Sequence, residues 1–192
     1  MALKNPIRRK VIRWISWSKP ETGYIKLNSD GAVATAQSRA GCGGVFRNEN
    51  GDWLLGFHMN LGCCSSKVAE LEGIRAGLLI ARNNGWRNIY YETDASSVVE
   101  ALMSEAKDNS LMSSVVEDCK SLLQHLQTCS VHHVHREGNR CADALAKLGL
   151  ASPVSFTILH EPPMEIQSIL KADSEGVAFC REAWEGDGVP VS

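Results

Sequence analysis

The chain has 192 residues, of which 44% are hydrophobic and 22% charged, as expected for a folded globular protein. Its formal net charge of −2 excludes a generally basic surface, so a nucleic acid would have to be held by local basic groups or through metal ions. No apolar run reaches the length of a membrane span and no signal core is visible, so we expect an intracellular protein, in the nucleus or the cytoplasm, without membrane association. The seven cysteines form no C-x-x-C pair, which favours reduced thiols.

Residues 1–20 carry only basic charges, together with Trp14 and Trp17. This pattern favours a solvated linker that leads into the first strand. The alternative is a basic arm that touches phosphate, with Lys10 and Arg13 as candidate nucleic-acid contacts, or a nuclear-targeting patch. The cations of the segment are Lys4, Arg8, Arg9, Lys10, Arg13 and Lys19.

Three strands are predicted for the next part of the chain. Apolar and polar positions alternate over residues 25–34, and the segments at 41–47 and 53–61 are also rich in strand-forming residues. Asn50-Gly51, between the second and third segments, is the dipeptide of a tight hairpin. We therefore expect an antiparallel meander of three strands.

Helices and strands alternate further along the chain. A helix over residues 66–84 has Ser65 or Ser66 as its N-cap and ends at Asn84-Gly85. The other predicted elements are a strand at 88–93, helices at 95–103 and 110–126, a strand at 130–135 and a helix at 140–150. This order predicts an α/β fold with a five-stranded mixed sheet, three antiparallel strands followed by two parallel ones, flanked by helices.

The composition changes after residue 150. Prolines interrupt the remaining segment and acids outnumber bases, so we expect an acidic, partly ordered extension with one short helix near residues 165–172. The predicted organisation is a basic linker or arm at 1–20, a folded domain at 21–150 and a C-terminal extension at 151–192.

Asp30 lies near the end of the first predicted strand and is followed at once by Gly31. Taken alone, this pair most often marks an Asp-Gly turn. A strand that continues through both residues would instead present a carboxylate beside a close backbone approach. The other acids of the chain decide between the two interpretations.

Four acids are predicted to meet at one edge of the sheet. Right-handed crossovers make the last two strands parallel, and the crossover helices begin above the carboxyl ends of the strands. Asp30 and Asp94 then end neighbouring strands, while Glu70 and Asp143 lie near the starts of their helices. Carboxylates this close raise one another's pKa unless a cation intervenes, and Mg²⁺ is a hard cation that accepts them. Two such ions about 3.5–4 Å apart would suit an in-line phosphoryl displacement.

These motifs resemble the type I ribonuclease H family, most closely its plant branch of reverse-transcriptase-like domains related to retroelements. The resemblance extends from about residue 17 to residue 150 and implies the ribonuclease H-like fold. The matching segments are Asn28-Ser29-Asp30-Gly31-Ala32, Ala69-Glu70-Leu71, Glu92-Thr93-Asp94-Ala95-Ser96 and Asn139-Arg140-Cys141-Ala142-Asp143.

The resemblance implies an endonuclease that hydrolyses the RNA strand of RNA–DNA hybrids with two Mg²⁺ ions, or with Mn²⁺. Asp30, Glu70, Asp94 and Asp143 would be the catalytic residues and metal ligands, and Asp30 would bridge the two ions. A metal-activated water would be the nucleophile, and contacts to the 2′-hydroxyl would select the RNA strand.

The chain departs from other members of that family in two places. Residues 106–128 form a short segment with acids as well as bases, so the basic handle that grips the hybrid in bacterial members is missing. The loop that carries an auxiliary histidine is reduced to residues 136–138, which leaves His135 as the nearest candidate for that role. Arg136 and Asn139 are candidate nucleic-acid contacts. These departures concern substrate affinity and turnover rather than metal binding.

Three functions therefore stay open, all for a chain that we expect to be a monomer. An active endoribonuclease is favoured by the presence of all four acids. A domesticated domain with weak or no activity, which binds nucleic acid or a protein, is favoured by the missing handle. Another nuclease of the same fold would share the chemistry but not the substrate. Each acid alone also has a plainer explanation, as an N-cap for Asp94 and as helix-dipole partners for Glu70 and Asp143.

Overall fold

The structure is a computed structural model that describes residues 9–104 and 112–184. Within them a mixed sheet of six strands has helices on both faces, and the first and last strands form a separate two-stranded ribbon. The elements are β1 (Lys10–Ile15), β2 (Ile25–Ala34), β3 (Arg39–Arg47), β4 (Trp53–Gly62), α1 (Ser66–Asn83), β5 (Asn88–Thr93), α2 (Ser96–Met103), α3 (Ser113–Gln124), β6 (Thr128–His133), α4 (Arg140–Ala151), β7 (Phe156–Leu159), α5 (Met164–Ser174) and β8 (Phe179–Trp184).

The spatial order of the main sheet is β6-β5-β2-β3-β4-β7, so β2 lies near its centre. β2 pairs antiparallel with β3 and parallel with β5, and β5 pairs parallel with β6. The predicted α/β class with a mixed sheet is confirmed. The parallel strands end at the edge where the acids are predicted to meet, because the crossover helices return the chain to the start of each strand.

The helices cover both faces of the sheet, which separates the core into two apolar clusters. Leu27 of β2 packs with Ile74 of α1 on one face. Val45 of β3 packs with Leu145 of α4 and Ile166 of α5 on the other. Since neighbouring residues of β2 point to opposite faces, Asn28 and Asp30 lie on the side of α4.

Among the described helices, none is long and apolar enough to cross a membrane.

The predicted bounds of β2 and β5 match the structure, and Ser65 is the N-cap of α1, accepting a hydrogen bond from the Val68 backbone N–H at 3.3 Å. β6 begins two residues earlier than predicted, at Thr128. The predicted count of five strands is wrong, because β7 adds a sixth by pairing antiparallel with the edge of β4. A four-residue strand between prolines gives little periodicity, and an unpaired sheet edge is what orders it.

The expectation of a linker before residue 20 is wrong for β1, which pairs antiparallel with β8 of the C-terminal extension. Paired positions such as Lys10 and Trp184 are far apart in the chain, so no local sequence pattern predicts the ribbon. Four charged residues that contribute to the predicted basic arm and acidic extension lie outside the described residues: Lys4, Arg8, Glu185 and Asp187.

The described part of the extension, up to residue 184, is more ordered than predicted. Ile166 of α5 is fully buried against the α4 face, and the Asp173 carboxylate of α5 forms a 2.7 Å ion pair with Arg47 of β3. The Arg47 guanidinium in turn lies 3.6 Å from the ring centroid of Trp17, a residue of the predicted linker. Burial of apolar and ion-paired side chains explains why a proline-rich, acidic segment folds here.

Candidate active site

β2 continues through Asp30 and Gly31, whose Cα partners on β3 are Gly43 and Cys42, so the Asp-Gly turn is excluded. A Cβ atom at Gly31 would lie 2.6 Å from the backbone nitrogen of Glu70 and 2.9 Å from the Cβ of Ala69. Such distances are shorter than any van der Waals contact, so only glycine lets the start of α1 approach β2 this closely. The approach brings Glu70 to Asp30.

The structure brings together three of the four predicted acids. Asp30 of β2, Glu70 of α1 and Asp94 after β5 each offer a carboxylate oxygen, and these oxygens all lie within 4.8 Å of one another. Asp30 is only 7% exposed. Three carboxyl groups from separate parts of the chain are therefore gathered around a buried aspartate.

Burial is the largest cause that raises the pKa of Asp30 to about 7, and the Asp94 carboxylate adds to it. Burial likewise raises the pKa of Glu70 to about 9, followed by the charges of Asp30 and Asp94. The hydrogen bond between the two carboxyl groups favours the proton on Glu70, since it lowers the pKa of Asp30 and raises that of Glu70. Glu70 Oε2 is buried without a hydrogen-bond partner among the described residues, which leaves an acceptor for a cation.

Asp94 is held in place by side chains from the segment after β6. Its carboxylate accepts hydrogen bonds from Arg136 Nε at 3.1 Å and from Asn139 Nδ2 at 3.2 Å. The Asn139 amide also donates to the Ser29 backbone carbonyl at 3.0 Å, so it ties this acid to β2. Asp94 does not cap α2, whose N-cap is Ala95 without a side-chain hydrogen bond.

Asp143, the fourth predicted acid, lies across a cavity of about 350 Å³ that Asp30 and Asp94 also line. Its carboxylate accepts a 2.6 Å hydrogen bond from Lys147, one turn further along α4, and its side chain is 47% exposed. The spacing of four residues puts these two side chains on the same side of the helix. Asp143 therefore faces the site but is not among the three crowded carboxylates.

His135 is not among the residues that line this cavity. Burial lowers its pKa, followed by the positive charge of Arg181, and its Nε2 is buried with no hydrogen-bond partner in the described part of the chain. Another histidine, His133, contacts the backbone of the site, with its Nε2 at 3.2 Å from the backbone oxygen of Asp94. Alternation along β6 sends the preceding residue, His132, to the opposite face, where it stacks on Tyr90.

The cavity has a basic rim that the sequence only partly indicated. Arg136 and Asn139, both predicted nucleic-acid contacts, line it together with Arg140, Lys147 and Phe179. Lys147 could have been found by its spacing from Asp143, whereas Phe179 belongs to β8 and gives no local signal.

The other two predicted nucleic-acid contacts lie on β1 of the ribbon. Lys10 forms an exposed ion pair with Glu182 at 2.8 Å, and Arg13 is opposite Arg181 in the register with β8. Neither Lys10 nor Arg13 lines the cavity.

The donor set of the site fits a hard divalent cation. It consists of carboxylate oxygens from Asp30, Glu70 and Asp94, and Asp143 lines the same cavity. Oxygen-only donors suit Mg²⁺ or Mn²⁺ better than Zn²⁺, which prefers nitrogen and sulfur. The buried Glu70 oxygen without a partner and the raised pKa values are what such an ion would relieve.

Comparison with solved structures finds 188 matching chains, which include the following three with the same fold. The ribonuclease H1 of the halophilic archaeon Halobacterium salinarum has a TM-score of 0.62 at 25% identity and covers 67% of this chain and 98% of its own. The N-terminal ribonuclease H domain of a Mycobacterium tuberculosis protein has a TM-score of 0.61 at 24% identity and covers 67% and 94%. A ribonuclease H1 in complex with an RNA/DNA hybrid has a TM-score of 0.60 at 19% identity and covers 66% and 96%.

Sequence comparison agrees with the structural one. A protein of Arabidopsis thaliana that is named as a ribonuclease H protein is 34% identical over 167 residues, which are 87% of this chain but 27% of that protein. The family model described as reverse transcriptase-like matches residues 28–149 and so spans every acid of the site. The chain therefore belongs to the reverse transcriptase-like family and has the ribonuclease H-like fold.

Proposed function

We propose that this chain is a metal-dependent endonuclease that hydrolyses the RNA strand of RNA–DNA hybrids. The observation that carries the proposal is the cluster of Asp30, Glu70 and Asp94, whose carboxylate oxygens lie within 4.8 Å of one another. A ribonuclease H1 with the same fold is described in complex with an RNA/DNA hybrid, which supports the substrate class. The name of the Arabidopsis relative supports the same class of activity.

Asp30, Glu70 and Asp94 would hold Mg²⁺ or Mn²⁺, with Asp143 completing the set from α4. Bound in pairs, such ions supply an activated water and stabilise the charge on the leaving oxygen of an in-line displacement. The protein keeps the three oxygens oriented beforehand, because β2 and α1 touch at Gly31 and because burial excludes water from around Asp30. Asn139 fixes the carboxylate of Asp94 through its bond to the Ser29 carbonyl.

Two of the acids are already paired with cationic side chains, and the strength of these pairs decides whether they oppose a metal. Arg136, which binds Asp94, is 88% exposed, and Lys147, which binds Asp143, is 65% exposed. Ion pairs with such exposed partners contribute about 0–1 kcal/mol. A divalent cation at three carboxylates competes easily with pairs of that strength, after which both basic side chains are free to face phosphate.

The second candidate function is a domesticated domain with weak or no activity that binds nucleic acid or a protein. The observation in its favour is the same ion pairing, in which Arg136 and Lys147 occupy two acids of the site. The sequence of residues 106–128, which lacks the basic handle of bacterial relatives, points in the same direction. The two functions differ in whether the chain turns over a hybrid.

Cleavage of a labelled RNA–DNA hybrid in Mg²⁺ and in Mn²⁺ tests the proposal, with duplex RNA and single-stranded RNA as substrate controls. We expect cleavage of the hybrid alone, and loss of more than about 100-fold in Asp30→Asn, since even groups that only orient metal ligands cost about 10- to 100-fold when removed. Glu161→Gln removes an exposed acid outside the site and is the matched control. A folded protein that cleaves no hybrid with either metal would support the second function.

A further inference from the structure

Arg140, the first residue of α4, lines the cavity together with Asp30 and Asp143. Its guanidinium carbon lies 4.2 Å from the centroid of the Phe179 ring. Its Nη1 atom is buried without a hydrogen-bond partner among the described residues. A buried guanidinium nitrogen that donates to nothing is unusual, because the lost hydration is normally replaced by a hydrogen bond.

The acids nearest in sequence to Arg140 are engaged by other cations. Glu137 accepts two hydrogen bonds from Arg181, at 3.3 and 3.1 Å. Asp143 is bound by Lys147 at 2.6 Å. The described part of the chain thus shows no ion pair for Arg140, although Glu137 precedes it and Asp143 follows it closely in the sequence. The Arg140 side chain is therefore available to an anion from outside the protein.

Phe179 reaches this position because β8 pairs with β1, where its Cα partner is Ile15. Stacking on an aromatic ring fixes the plane of a guanidinium while its edges stay available for hydrogen bonds. Phe179 also lines the cavity, so the C-terminal extension contributes to the wall of the site. This contribution of the ribbon to the cavity was not indicated by the sequence of either strand.

We infer that Arg140 binds a backbone phosphate of the nucleic acid in this cavity and that Phe179 is the residue that positions it. The planar fork of a guanidinium matches the oxygens of a phosphate in two parallel hydrogen bonds. A cation at this wall also offsets the repulsion between the acids and an incoming phosphodiester. The inference rests on the proposed function only for the class of ligand, a nucleic-acid strand.

Binding of a fluorescent RNA–DNA hybrid in Mg²⁺, measured in the Asp30→Asn background over a series of salt concentrations, tests this inference without cleavage. We expect Arg140→Ala to weaken binding by about tenfold and to lower the slope of log K against log salt by about 1. Arg82→Ala removes an exposed arginine from the C-terminal end of α1 and is the matched control. Arg82→Ala should leave both the affinity for the hybrid and the slope of log K against log salt unchanged.

Phe179 is tested by its effect on Arg140 rather than by stability alone. Phe179→Ala should raise KM for the hybrid in the otherwise native chain with little change in kcat, because the arginine loses its support while the acids stay in place. Phe179→Tyr keeps the ring and should restore KM. In the Arg140→Ala background, Phe179→Ala should add no further loss of binding.

The outcomes separate this inference from the proposed function. If the native chain cleaves the hybrid but Arg140→Ala and Arg82→Ala bind it with equal affinity, the phosphate contact is overturned and the proposed function stands. A chain that binds the hybrid through Arg140 without cleaving it would support the contact and overturn the endonuclease. Absence of hybrid binding and of hybrid cleavage by the native chain in Mg²⁺ and in Mn²⁺ would overturn both. A failure of Phe179→Tyr to restore KM would overturn the positioning role.

Discussion

One face of β2 carries two groups of charges that differ in how they are matched. In the first group, Lys26 forms a 2.6 Å ion pair with Glu92, and Arg47 forms a 2.7 Å pair with Asp173. Asn28 joins the two pairs, since it donates to Glu92 at 2.9 Å and accepts from Arg47 at 3.0 Å. All of these side chains are buried, and each charge has an opposite partner.

The second group begins two residues further along the same face, at Asp30. Here the charges of Asp30, Glu70 and Asp94 have the same sign, and burial raises the pKa of the first two. Asp30 is buried and the other two acids are partly buried. Of the three, Asp94 pairs with the exposed Arg136, whereas Asp30 and Glu70 have no ion pair within the described residues. The comparison teaches that the matched group holds the extension to the domain, while the unmatched group is costly to the fold, which supports our proposal that a cation binds there.

The largest effect is expected from breaking the matched group. Arg47→Met removes the partner of Asp173 and leaves a carboxylate that is 6% exposed. Loss of one partner of a buried ion pair costs about 3–5 kcal/mol of unfolding free energy. Urea denaturation followed by circular dichroism measures this cost.

The control for that change is the double variant Arg47→Met with Asp173→Leu, which replaces both charges by apolar groups. It should recover most of the lost unfolding free energy, because an apolar pair of similar volume needs no hydration. A loss below about 1 kcal/mol in Arg47→Met, within the range of an exposed pair, would contradict the structural role of the network.

A smaller effect, on activity, is expected from disturbing how the unmatched group is assembled. Gly31→Ala forces α1 away from β2, because its Cβ would lie 2.6 Å from the Glu70 nitrogen. Displacing Glu70 by part of an ångström should lower the rate of hybrid cleavage by about 10- to 100-fold. Gly138→Ala is the control, since its Cβ would meet only Ser16 O, at an ordinary 3.6 Å. Equal rates for the two variants would show that the close approach does not set the site.

The smallest effect is expected at the rim of the unmatched group. Arg136→Ala frees the Asp94 carboxylate from a 3.1 Å pair whose arginine is 88% exposed. Because such a pair contributes at most about 1 kcal/mol, the affinity for Mg²⁺ should rise by less than about fivefold. Calorimetric titration with Mg²⁺ checks this. A fall in metal affinity would mean that Arg136 orients Asp94 more than it competes for it.

The sequence predicted the central strands and the unmatched group well, for a physical reason. β2 and β5 show alternation, and right-handed crossovers leave little freedom in where their ends and the helix starts meet. The amino-acid sequence alone therefore suffices to place Asp30, Glu70 and Asp94 together. Asp143 could not be distinguished from them, because its turn toward Lys147 depends on a side-chain rotamer.

The matched group and the ribbon could not be predicted in the same way. The partner of Arg47 is Asp173, and the partner of β1 is β8, so both depend on contacts between segments that are far apart in the chain. An acidic segment with prolines gives no sign that one of its acids is buried. The additional strand β7 likewise exists only because the edge of β4 is there to pair with it.

The unmatched group also predicts how stability depends on pH. Folding raises the pKa of Asp30 from 3.8 to about 7 and that of Glu70 from 4.5 to about 9. Between its unfolded and its folded pKa, each group binds more protons in the folded chain than in the unfolded chain. The contribution of Asp30 to the unfolding free energy is therefore lost as the pH rises through about 7, and that of Glu70 as it rises through about 9. Mg²⁺ should reverse this fall, because it binds the ionised carboxylates of the folded chain.

The melting temperature of the native chain and of Asp30→Asn, from about pH 6 to about pH 9 with and without Mg²⁺, tests the central claim most directly. Without metal, the native chain should lose stability with rising pH and Asp30→Asn should lose less, since one of the crowded charges is gone. Mg²⁺ should stabilise the native chain at the higher pH and have little effect on Asp30→Asn. Equal pH dependence in both proteins, with no response of the native chain to Mg²⁺, would contradict a cluster of acids built for a cation.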